Sequence, residues 1–153
     1  MNPNDTTTAK GSLGIKLIGP DGEVKEETNH DNLVVNTGLA YFISRAVSVT
    51  AATMSHMALG SGTTAPAAGD TALQTQLGSR VTLDSTSITG TDNENVVYAA
   101  TFGAGDGTGA VTEAGIFNAE TGGDMLCRTV FPVVNKQADD TMVITWTVTL
   151  SAS

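Results

Sequence analysis

Little in this sequence could staple the chain or steer it toward a charged polymer. Cys127 is the only cysteine among 153 residues, so no disulfide can form within the chain, and its place inside a β-rich run reads as a small buried thiol and not a reactive one. Aromatic residues make up 5%, too few for the ring platforms on which a sugar-cleaving enzyme of this size would hold its substrate. Seven basic residues stand singly against sixteen acidic ones, for a net charge of −9. That argues against the phosphate-tracking surface of a nucleic-acid binder, and the acidity serves solubility. No run of about 18 apolar residues occurs, and Met1-Asn2-Pro3-Asn4-Asp5 has neither the basic flank nor the apolar core of a secretory signal. The expectation is a soluble, unexported chain without a membrane segment, long enough to bury about 70% of its unfolded surface as one domain.

What is there is β pattern, clearest over residues 111–150. Met142, Ile144, Trp146, Val148 and Leu150 alternate with Thr141, Val143, Thr145, Thr147 and Thr149, the signature of a half-buried strand. The alternation places Trp146, the only tryptophan, in the core as its anchor. Residues 111–118 and 125–131 form a hairpin whose loop carries Gly122-Gly123 to supply positive φ, and Pro132 is expected to end the second strand for want of an N–H.

Taken in order, residues 1–10 are polar and aperiodic and read as a flexible or partner-docked arm without intrachain β-pairing; residues 11–153 read as a single domain. Leu13, Ile15 and Leu17 alternate as a strand, and Gly19-Pro20-Asp21-Gly22 turns it back into 23–28. Asn36 is a candidate N-cap for a helix over 37–47 with Leu39, Phe42, Ile43, Ala46 and Val47 on its apolar face, ended by the β-branched residues 47–50. Asp70 can cap a second, two-turn helix with Leu73 and Leu77 at i, i+4 and Gly78 as its stop. Strands are expected at 54–59, 80–88 and 96–102. Seven or eight short strands and one or two helices predict a mainly β protein, an antiparallel β-sandwich with the helices at one side. Between its strands, Gly60-Ser61-Gly62-Thr63-Thr64-Ala65-Pro66 opens a surface loop of small residues running to Gly69, a candidate for interaction. Residues 103–109 form a second such loop.

Chemistry-bearing constellations are few. The glycines of 103–109 lack both GxGxxG spacing and a Walker lysine, and the segment joins strand to strand. His30 and His56 stand apart, and one cysteine completes no zinc or dyad set. Glu26-Glu27, Asp92 with Glu94, and Asp139-Asp140 do not make a calcium-loop pattern and read as solvated pairs. No catalytic, cofactor-binding or metal-binding residue is therefore assigned, and an enzyme is not expected. One pair is more specific. If Asn118 meets Met125 across the glycine turn, Glu113 falls opposite Val130 and Gly115 opposite Arg128, which sets Glu113 and Arg128 diagonally on one face. As the ordinary exposed pair they would contribute about 0 to 1 kcal/mol; buried, loss of either partner would cost about 3 to 5 kcal/mol.

Met57-Ala58-Leu59-Gly60-Ser61-Gly62-Thr63-Thr64-Ala65-Pro66, continuing to Asp70-Thr71-Ala72-Leu73, resembles the ALGxGTTxPxxxDTAL segment of small structural proteins of tailed bacteriophage particles. Thr112-Glu113-Ala114-Gly115-Ile116-Phe117-Asn118 and Met125-Leu126-Cys127-Arg128-Thr129-Val130-Phe131 are similar to a later motif of the same group, and residues 32–42 fit its usual start, LVVNxGLxxI. The match spans roughly residues 30–150. The resemblance implies a non-enzymatic virion protein without cofactor, made in the bacterial cytoplasm and assembled in many copies on the virion surface, as a homo-oligomer for which a trimer is expected. Two positions fit: a capsid decoration or cement protein on the major capsid protein of the head, or a tail-side piece of fibre, baseplate or receptor-binding apparatus. The last strand ends close to Ser153, which is expected to leave no room for a fibre shaft and favours the head.

Overall fold

In the computed structural model, which describes residues 6–47 and 51–152, the chain is mainly β, with 56% strand and 8% helix. The elements run β1 (Thr7–Ile18), β2 (Val24–Val34), α1 (Asn36–Val47), β3 (His56–Gly60), β4 (Gln76–Thr82), β5 (Ser85–Thr89), β6 (Asn95–Phe102), β7 (Gly109–Phe117), β8 (Met125–Lys136) and β9 (Thr141–Ala152). One antiparallel sheet holds all nine strands in the order β4-β3-β7-β8-β2-β1-β9-β6-β5, curled into a half-barrel. A single curled sheet thus stands where two packed sheets were expected. Alternation reports only that each strand has one buried face, and curling buries it as stacking would.

The curl is tight enough to bring the two edges to one corner. β4 and β5 lie at opposite ends of the strand order, yet only Leu83 and Asp84 join them. Leu83 N–H donates to the Ser55 carbonyl (2.9 Å) ahead of β3, and Asp84 N–H to the Ala99 carbonyl (2.8 Å) on β6. The expected single strand over 80–88 is broken at this corner.

The concave face holds the main core. Pairing sets Leu13, Trp146 and Tyr98 in one row, Ile15, Ile144 and Ala100 in the next, and Leu17, Met142 and Phe102 in a third. Trp146 has no exposed surface. In the other half, Met57, Ile116, Cys127 and Val34 continue the same face, and all of these residues belong to one cluster. Burial pushes the Cys127 thiol well above its ordinary pKa, consistent with an inert buried cysteine.

Several local expectations are corrected. Residues 7–10 pair with β9, from Thr7↔Ala152 to Lys10↔Thr149, so this part of the arm is strand; residues 1–5 lie outside the described residues. β8 runs through Pro132 to Lys136, because between Val111↔Val134 and Glu113↔Val130 the register shifts and the proline sits in the resulting bulge, where no ladder bond is needed from it. No second helix forms over 70–77: Asp70 closes a turn onto Ala67 (N–H to carbonyl, 3.0 Å), and β4 begins at Gln76.

α1 forms, but with another face inward. Gly38 and Tyr41 are buried, whereas Leu39, Ile43 and Val47 are 44%, 68% and 81% exposed. Gly38 decides the docking: a Cβ there would collide with the Leu126 carbonyl of β8, so only glycine allows this approach. The first helical bond runs from Leu39 N–H to the Val35 carbonyl (3.0 Å), which puts Val35, not Asn36, at the cap position. Asn36 N–H is satisfied by the Ala68 carbonyl (2.8 Å), and the Thr37 hydroxyl donates to the Met125 carbonyl (2.6 Å). Residues 48–50, expected to end the helix, lie outside the described residues.

Candidate functional site

The convex face is treated differently in its two halves. Over β3, β7 and β8, residues 61–75 fold back across the sheet, and the cause can be followed residue by residue. β7 and β8 pair as Glu113↔Val130 and Gly115↔Arg128. The turn sets Phe117, not Asn118, opposite Met125, and a register shift after Ile116 absorbs the difference. Glu113 and Arg128 therefore project from the convex side, opposite to Ala114 and Ile116.

They are buried, with relative exposures of 0% and 1%. Arg128 donates to Glu113 Oε2 from Nε (3.0 Å) and stands 2.8 Å from it through Nη2. The same carboxylate accepts the backbone N–H groups of Gly62 (3.0 Å) and Thr75 (2.8 Å) on Oε1 and of Gln74 (3.2 Å) on Oε2. Arg128 continues outward, donating from Nη1 to Asp70 Oδ2 (2.8 Å) and from Nη2 to the Thr64 carbonyl (3.1 Å). Asp70 in turn accepts the Ala67 N–H (2.9 Å). That backbone bond, reinforced by the Arg128 guanidinium and opposed by desolvation, holds the Asp70 carboxyl below its usual value.

The expected interaction loop Gly60-Ser61-Gly62-Thr63-Thr64-Ala65-Pro66 and the expected pair Glu113–Arg128 are thus one object. The pair clasps the loop. Two further bonds fasten it, from Ser61 N–H to the Thr75 carbonyl (2.8 Å) and from the Thr112 hydroxyl to the Gly62 carbonyl (2.8 Å). Small residues make room: a Cβ on Gly60 or Gly62 would lie 2.5 Å from Glu113 Oε1, and one on Gly115 would lie 3.0 Å from Leu73. Leu73 closes over a second small core of Val35, Ala58, Phe117 and Met125. The loop is therefore a lid on apolar surface as well as a connector, while Thr63, Thr64 and Ala65 at its outer side are exposed.

Other singled-out residues lie elsewhere. Trp146 is in the concave core. His30 stacks on Phe131 (5.4 Å between ring centroids) and shares a hydrogen bond with Thr28 (2.9 Å); His56 does the same with Ser55 (2.8 Å). Of residues 103–109 only Gly107 is buried, beside Leu59, while 104–106 and 108 are exposed. Lys136 reaches the Gly103 carbonyl (2.7 Å). Asp140 accepts from Lys25 (2.9 Å) and the Gln137 N–H (2.9 Å), and Lys25 foremost lowers its pKa. Among the described residues no three His, Cys, Asp or Glu side chains gather as a metal site, and no helix is long and apolar enough to cross a membrane.

Asp70, Gln74 and Thr75 were not anticipated as parts of the clasp. That stretch is marked by the Asp70-Thr71-Ala72-Leu73 motif and reads in sequence as a short helix capped by Asp70. No family model matches the sequence, and no curated protein or solved structure is detectably similar to it.

The Glu113 carboxylate accepts four hydrogen bonds, has a further ion-pair contact with Arg128 Nη2 and is shut from solvent. The clasp fixes the shape of a fifteen-residue stretch, 61–75.

Proposed function

We propose that the chain is a non-enzymatic structural protein of a tailed-phage virion, seated on the outer head shell as a decoration or cement protein bound to the major capsid protein. The observation that carries the reading is the coincidence of motif and clasp. Of the segments on which the resemblance rests, 57–73 is far in sequence from the hairpin of 112–118 and 125–131, yet they meet at Glu113, Arg128 and Asp70. The shared residues are thus those needed to hold one loop rigid, as a docking protein requires, and a pre-ordered loop loses little entropy when a partner binds it. On this reading the exposed outer side at Thr63, Thr64 and Ala65 faces the partner.

The test is reconstitution. Particles stripped of the protein, or assembled without it, are mixed with purified wild-type chain or with Ala65→Arg, a change at an exposed position of the loop. Saturable binding of wild type with raised heat resistance of the head, reduced in the variant, supports the proposal. Absence of binding to heads overturns it, and binding to isolated tails would transfer the protein to the tail.

A further inference from the structure

Away from the clasp, a groove of about 490 Å³ opens between α1 and the concave side of β5 and β6, within the size range of ligand pockets. Met54, Ile88 and Val96 make its apolar wall, Tyr41 and Tyr98 its floor, and Arg45 stands at its margin. Three features single it out.

The first is the strand beside it. β5 (Ser-Thr-Ser-Ile-Thr) pairs with β6 through all five residues, each of them exposed, and its outer edge has no ladder partner among the described residues. Sheet edges are commonly blunted by charge, proline or a bulge. The opposite edge, β4, has such devices in Arg80, a register shift against β3 and a positive φ of 69° at Gly78. β5 has none of them.

The second is unused polar capacity. Arg45 donates one hydrogen bond, to the Ala51 carbonyl (3.2 Å), and meets no carboxylate among the described residues. The Tyr41 and Tyr98 hydroxyls, on side chains that are 8% and 4% exposed, likewise have no protein partner there. The third is Ile88, 67% exposed and directed, with Thr86, to the groove side of the strand. On a chain of net charge −9, an unpaired guanidinium beside apolar surface selects for an acid with an apolar neighbour.

We propose that the β5 edge and this groove bind an extended peptide segment of a partner protein by strand addition. The segment carries an apolar side chain for the groove and, two residues along, a carboxylate for Arg45. The spacing follows from the pleat: in a strand laid against β5, alternate residues face the same side as Thr86 and Ile88. Main-chain bonds to β5 supply affinity, and the two groove-facing side chains supply selectivity. This site is separate from the clasp and stands or falls independently of the virion assignment.

The experiment titrates fluorescein-labelled heptapeptides into the intact chain. Each carries Leu, Ile or Phe at one position and Asp or Glu two residues later in a threonine background, with Lys-for-acid and Ser-for-apolar controls. Expected are saturable binding of the apolar-acid peptides, slowed hydrogen exchange of β5 amides, and affinity reduced roughly tenfold or more by the Lys control and by Arg45→Glu. Ile88→Asp should weaken binding similarly. Both positions are exposed, and far-UV circular dichroism checks that the variants remain folded. The proposal is overturned if no peptide in the set binds, if affinity is indifferent to both substitutions, or if octanoate alone occupies the groove while β5 exchange is unchanged under every peptide.

Discussion

At Glu113 a fully buried carboxylate is made tolerable by four hydrogen bonds, one from Arg128 Nε and three from backbone N–H groups, and by the close ion-pair contact of Arg128 Nη2, so that neither charge is left stranded. Glu113→Gln keeps the volume but turns an amide NH2 toward donors and leaves Arg128 half-compensated. We expect a loss of about 3 to 5 kcal/mol, read in chemical denaturation, with residues 61–75 becoming protease-sensitive. Asp70 gives the clasp a pH dependence. Its folded-state pKa lies below the unfolded value of roughly 3.9, so its contribution is present above that value and is lost as pH falls through the folded pKa. The melting-temperature gap between wild type and Asp70→Asn should be widest above about pH 5 and shrink in stronger acid; a gap constant with pH would remove Asp70 from the clasp. In the concave core, Trp146→Ala should cost about 3 to 5 kcal/mol out of a typical 5 to 15, whereas Thr147→Ala on the opposite face should fold nearly normally. Calorimetry of the pair checks this.

At the scale of elements, α1 offers a sign test. Glycine inside a helix is worse than alanine by roughly 1 kcal/mol, yet Gly38→Ala should destabilise, because the added methyl meets the Leu126 carbonyl; a rise in melting temperature would contradict the packing described. The same helix shows what the sequence could reveal. Its period was legible, but Leu39, Ile43 and Val47 mark an apolar stripe that faces solvent, since periodicity defines a face without saying which neighbour covers it. The β7–β8 register at Glu113 and Arg128 was legible, and with it their diagonal placement, but the turn from which it was counted was not, since Phe117 and not Asn118 faces Met125 and a shift after Ile116 compensates. Their burial was not, for it depends on a lid of small residues 38 to 51 positions before Glu113 whose holding force is backbone N–H groups. Asp70 with Leu73 and Leu77 mimicked a capped helix because a turn and a cap use the same residue types. Pro132 was misleading for the opposite reason: a bulge removes the demand for the N–H that proline lacks.

At the scale of the whole molecule, one curled sheet uses its concave side as a core and half of its convex side as the seat of a clasped loop. The corner at Leu83-Asp84 draws the two edges together and leaves the β5 edge beside its groove. That arrangement separates the clasped loop, which the proposal makes the docking surface, from the proposed strand-addition site. A decoration protein covers its shell in large numbers, whereas a tail-side piece is present in few copies. The most direct measurement of the virion proposal is therefore the copy number of this chain in purified particles of the phage proposed to carry it, by quantitative mass spectrometry against the major capsid protein. Hundreds of copies per particle are predicted; tens would contradict the head assignment, and absence from the particle would contradict the virion reading itself.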